Sequence, residues 1–104
     1  MDILPIGSTL RYAVKFKGLT TDVLDENVTF TAKFFTKLTP YDDDFVSISA
    51  NVDREASGEA DTIIIYASSS TLHEGILYAQ VEVTDYDYNE CIGANLNVKL
   101  VEKI

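Results

Sequence analysis

Polar and apolar residues alternate along most of this chain. Leu10, Tyr12, Val14 and Phe16 are apolar between the polar Thr9, Arg11, Lys15 and Lys17. Val28, Phe30, Ala32 and Phe34 alternate with Thr29, Thr31 and Lys33, and Val46, Ile48, Ala50 and Val52 with Ser47, Ser49 and Asn51. The same rhythm returns in Leu77, Ala79, Val81 and Val83, and again in Ile92, Ala94, Leu96, Val98 and Leu100. A period of two is that of a strand with one face on a core and the other in water. Residues 61–67, Asp-Thr-Ile-Ile-Ile-Tyr-Ala, are apolar on both faces and predict a strand whose outer side is also covered.

Turn-forming residues separate these runs at 18–27, 39–44, 53–60, 68–75 and 85–91. Helical periodicity is absent, with room for at most one turn near 54–60 or 70–74. Six strands, or seven if residues 2–6 pair along an edge, predict two packed antiparallel sheets. The expectation is an all-β, immunoglobulin-like antiparallel β-sandwich of six to seven strands, with residues 1–104 forming one domain.

Leu72-His73-Glu74-Gly75-Ile76-Leu77-Tyr78 has the Leu-x-x-Gly-x-x-Tyr spacing of a sandwich corner, in which the tyrosine fastens a crossover. A hairpin follows, with residues 85–91 predicted as its seven-residue loop. With the N-terminal strand and the strand-rich middle, this pattern resembles the small immunoglobulin-like domains of tailed-phage virion proteins. Examples are the N-terminal domain of baseplate upper proteins and the head-fibre or capsid-decoration modules. The resemblance implies a structural, self-associating virion part and carries over no catalytic residue.

Composition narrows the partners. The net charge of −9 is uneven: residues 1–40 hold five bases and four acids, residues 41–104 three bases and thirteen acids. This balance argues against binding a phosphate backbone or an anionic bilayer. The single cysteine, Cys91, forms no internal disulfide, so the fold does not depend on an oxidising compartment. Residues 1–7 lack the basic and apolar regions of a secretory signal, and no apolar run is long enough to span a bilayer. The expectation is a chain that is not secreted by a signal peptide, cytoplasmic in the producing cell or incorporated in a virion.

Reactive constellations are thin. The lone histidine, His73, lies near Ser68, Ser69 and Ser70, but no nucleophile elbow surrounds them. No cofactor and no catalytic residue is expected. Asp42 and Asp44 lie in an acidic tract, and Asp85-x-Asp87-x-Asn89 opens like a calcium loop. The match then stops, since Glu90 occupies the turn-glycine position and Leu96 the place of the bidentate glutamate. These four aspartates are weak calcium candidates beside the plainer role of solvated turns.

Surfaces offer more. If the first two long strands pair, Arg11, Lys15, Lys17, Lys33 and Lys37 form one basic stripe. The alternative is that these lysines merely guard solvent-facing positions. Phe35, Ile64, Tyr66 and Tyr78 add apolar area to nominally outer faces, unless a bulge turns Phe35 inward. Phe35, Ile64, Tyr66, Tyr78, Arg11, Lys15 and Lys33 are therefore the candidate interface. Tyr41, Tyr86 and Tyr88 are candidates for loop recognition. The leading expectation is a non-enzymatic assembly protein binding copies of itself or other virion proteins, with no nucleic acid and no membrane. The alternatives are a carbohydrate or cell-surface recognition module and an acidic inhibitor of a basic host protein.

Overall fold

Strands form where the period-two pattern places them, and some run on past it. The computed structural model describes residues 1–38, 46–86 and 88–102. Its strands are β1 (Asp2–Pro5), β2 (Thr9–Lys15), β3 (Thr29–Lys37), β4 (Val46–Ser49), β5 (Asn51–Asp53), β6 (Thr62–Ser68), β7 (Gly75–Asp85) and β8 (Tyr88–Val101). No described residue is helical. One sheet has the order β1-β8-β7-β3-β4 and the other β2-β6-β5. The fold is an all-β sandwich, and its strand orders correspond to those of an immunoglobulin-like one, with β2, β6 and β5 in the places of B, E and D, and β3, β7 and β8 in those of C, F and G.

Two features refine the expected strand list. Residues 2–5 do form an edge strand, but β1 runs parallel to β8, with Asp2 opposite Val98 and Pro5 opposite Val101. The segment 45–52 is not one strand, because it breaks at Ala50 and its halves join different sheets. Ile48 lies opposite Phe34 in the larger sheet, whereas Val52 lies opposite Ile65 in the smaller one. The Ala50 amide donates to the Ala32 carbonyl at 2.8 Å and holds the crossing point. Both halves face the same core, so the alternation continues across the switch and hides it. That break raises the count among the described residues to eight.

The inward side chains of both sheets make one core, with Leu10, Phe16, Phe34, Ile63, Ile65, Leu77, Val81, Val83 and Leu100 wholly buried. Tyr12 meets Phe34 at 5.9 Å between ring centroids, and Phe16 meets Phe30 at 5.4 Å. Burying each such large side chain contributes about 1.5–3 kcal/mol, set against the entropy of ordering it.

Polar contacts then fix the loops. The Ser69 hydroxyl donates to the Ser8 carbonyl at 2.7 Å and accepts from the Gly7 amide at 3.0 Å. This joins the β1–β2 link to the segment after β6. Gly7 has φ 105°, a backbone shape that glycine alone adopts cheaply. The Arg54 guanidinium donates to the carbonyls of Val23 and Asp25, at 3.3 and 3.1 Å, and covers the Phe30 ring at 5.0 Å. It pins the long β2–β3 connection to the sandwich.

The final hairpin is tighter than the sequence suggests. Asp85 pairs directly with Tyr88, so residues 86 and 87 alone connect the strands and the expected seven-residue loop does not exist. Asp85 and residues 88–91 join the ladder because backbone pairing itself needs no apolar side chain.

Candidate interaction surfaces

The two long early strands do not pair. β2 pairs with β6 and β3 with β7 and β4, so the five lysines and arginines form no single stripe. The seven candidate interface residues divide between opposite faces of the sandwich. Phe35, Tyr78 and Lys33 lie on the outer face of the larger sheet. Arg11, Lys15, Ile64 and Tyr66 lie on the outer face of the smaller one.

On the larger sheet no bulge turns Phe35 inward. Thr31, Lys33, Phe35 and Lys37 all point outward while Ala32, Phe34 and Thr36 are buried. Phe35 sits opposite Tyr78 in the β3–β7 register, and their rings stack at 5.4 Å with an interplanar angle of 8°. The Lys33 and Lys37 ammonium groups lie 5.8 and 5.9 Å from the Phe35 ring centre, and Lys37 lies 5.7 Å from that of Tyr78. Cations over aromatic faces are mutually stabilising. Tyr78 is thus an outer-face residue and not the crossover fastener that the Leu72–Tyr78 spacing suggested. The corner keeps its other parts: Leu72 is buried, and the Thr36 hydroxyl donates to the His73 carbonyl at 2.9 Å. Gly75 has φ 150°, and a Cβ there would stand 2.6 Å from the Lys37 carbonyl oxygen.

On the smaller sheet Arg11 pairs across from Tyr66, and Lys15 across from Thr62. Ile64 is covered to 8% exposure although it faces outward, whereas Tyr66 remains 39% exposed. Lys15 forms an exposed ion pair with Asp61 at 3.7 Å. Such a pair contributes little.

The recognition and calcium candidates separate as well. Tyr86 is 80% exposed at the hairpin tip. Tyr88 is not in a loop; it opens β8 half-buried, and its ring lies 3.1 Å from where a Cβ on Gly18 would stand. Tyr41, Asp42, Asp44 and Asp87 lie outside the described residues. Asp85 is 9% exposed, accepts from the Thr21 hydroxyl and takes the Tyr86 amide at 2.8 Å. Its carboxylate serves as a hairpin anchor tied to the β2–β3 connection. Among the described residues no three His, Cys, Asp or Glu side chains gather as a metal site.

An open hollow of about 670 Å³ at one end of the sandwich is lined by Ile6, Thr36, Leu72, His73, Glu74 and Glu102, among others. Leu38 and Val46 on its wall are the described residues that flank segment 39–45. It collects an imidazole, two carboxylates and a hydroxyl. The hydroxyl of Thr36 is buried and spends its proton on the His73 carbonyl, not on the ring. Cys91 is exposed on the outer side of β8, where its sulfur accepts from the Gln80 side-chain Nε2 at 3.1 Å.

A second opening was missed by the sequence reading. A cleft of about 250 Å³ runs between β2 and β8, with Tyr12 and Val14 on one side and Ile92, Ala94 and Leu96 on the other. Val81 and Ala79 form its floor. Among the described residues neither flanking strand has a strand neighbour on this edge, since β2 is the outermost strand of its sheet and β1 pairs only with residues 98–101 of β8. Tyr12 shares in this seam, and its phenol is pushed above the usual tyrosine value by burial and then by the charge of Asp2. The chain matches no family model, no curated protein and no solved structure.

Proposed function

We propose that this protein is a non-enzymatic assembly module that works by associating with other polypeptides, its own copies included. The observation that carries the reading is the seam between β2 and β8. There, apolar side chains that point toward the core stay half-exposed beside two unpaired strand edges. Exposed apolar clefts with free edges are characteristic of protein docking. The phage or prophage particle as the setting rests on the resemblance of the sequence pattern, and the sandwich is the fold that resemblance implies. No helix among the described residues is long and apolar enough to cross a membrane.

Light scattering over a range of protein concentrations tests the proposal. A mass that rises above that of one chain supports it, and a strict monomer at high concentration contradicts self-association. The exposure of Tyr86 favours one second reading, recognition of a carbohydrate or cell surface by the hairpin tip. Glycan binding that disappears in Tyr86→Ala would replace the assembly reading with that one.

A further inference from the structure

We infer that the β2–β8 seam is a slot for one extended segment of another polypeptide, with apolar side chains at alternate positions and a lysine or arginine beside Glu90. This deepens the assembly reading and rests on it.

β1 is an added strand, bound in parallel along residues 98–101 of β8. Beneath it Val98 and Leu100 are buried to 6% and 0% exposure. Upstream, where no described strand lies beside β8, Ile92 and Leu96 are half-buried and Ala94 is exposed. Edge pairing plus burial is thus a mode of binding this edge already uses. The vacant stretch from Glu90 to Leu96 spans about 20 Å at roughly 3.4 Å per residue, which suits a strand of six or seven residues. Tyr88 against Gly18 closes one end, and β1 closes the other. Side chains entering the slot meet apolar walls, so every second residue of the occupant is apolar.

Charge defines the remaining position. Glu90 lies opposite the wholly buried Val83 and on the same side of β8 as Ile92 and Ala94. Its Oε2 atom is buried and has no hydrogen-bond partner among the described residues. An unpaired buried carboxylate oxygen is costly, and a cationic donor from the occupant relieves that cost. The excess of acid over the whole chain also favours a basic segment.

The test uses the full chain and an end-blocked octapeptide, Lys-Thr-Val-Thr-Val-Thr-Ala-Thr. Its control, Lys-Val-Val-Thr-Thr-Ala-Thr-Thr, has the same composition with the alternation broken. The first peptide is expected to bind, shifting amide resonances within residues 12–15 and 90–96, and the control to bind much more weakly. Glu90→Gln is expected to weaken binding roughly tenfold, the scale of a lost charge-assisted hydrogen bond. Ala94→Arg fills the slot from an exposed position and is expected to abolish binding while the melting curve stays cooperative. Equal binding of both peptides, shifts confined to other faces, or no binding overturns the slot. If the chain self-associates in light scattering while no peptide binds, the slot fails and the assembly reading stands. If the chain is monomeric yet binds the alternating peptide as described, the slot stands and self-association alone fails.

Discussion

The two halves of β8 lie on either side of an irregularity at Asn97 (φ 57°), where the register with β7 shifts between Ile76 and Tyr78, and they are buried to different degrees. Val98 and Leu100 are sealed, whereas Ile92, Ala94 and Leu96 reach the surface. β1 lies beside the first pair and not beside the second group. On this side of the sandwich the buried half of β8 is the half that has a strand beside it, and the hydrophobicity of β8 alone does not separate the two. An apolar period of two states which face turns inward; it does not state whether anything covers the edge.

Truncation should expose the contrast most strongly. Leu100→Ala is expected to cost about 2–5 kcal/mol in denaturant unfolding, the range for deleting a sealed core leucine. Leu96→Ala should cost about half as much or less, because water already reaches that side chain. Similar losses at the two positions would erase the distinction between the halves.

A smaller effect is expected at the hairpin that brings β8 into place. Asp85→Ala should destabilise by about 1–3 kcal/mol, since it leaves the Tyr86 amide and Thr21 hydroxyl without their acceptor. Thr21→Val in the Asp85→Ala background should then add much less than it does alone, as measured by a double-mutant cycle.

Alkaline titration sharpens the seam itself. The Tyr12 phenol holds its proton more tightly in the folded chain, first through burial and then through Asp2. A raised folded value leaves this contribution intact below the unfolded tyrosine pKa of about 10 and removes it as pH rises through the folded value. Tyr12→Phe should therefore flatten the loss of stability above pH ~10 relative to the parent chain. An unchanged alkaline slope would place Tyr12 in ordinary solvent. The smallest effect belongs to the exposed Lys15–Asp61 pair, where Lys15→Ala should change stability by less than ~1 kcal/mol.

Much of the sandwich was legible because most strands carry their own alternation. Leu77, Ala79, Val81 and Val83 declare their inward face without reference to anything distant. What stayed hidden depends on relations between strands. The sheet switch at Ala50 leaves the alternation intact, and only the different partners of Ile48 and Val52 reveal it. The proposed basic stripe failed because sequential β2 and β3 are split between sheets, the Greek-key alternative to simple neighbour pairing. The Phe35–Tyr78 stack was half-visible: both residues were marked as outer apolar residues, but their register needed the β3–β7 ladder. The seam left little local trace, since Ile92, Ala94 and Leu96 read like any other core-facing triplet. Among these residues Glu90 was the available signal, an acid standing in phase with them.

Amide hydrogen exchange along β8 tests the central contrast most directly. Slow exchange is expected for the amides of Val98–Val101 that point toward β1, and fast exchange for alternate, edge-facing amides between residues 90 and 96. Uniform protection along that whole edge in the monomeric chain would contradict it.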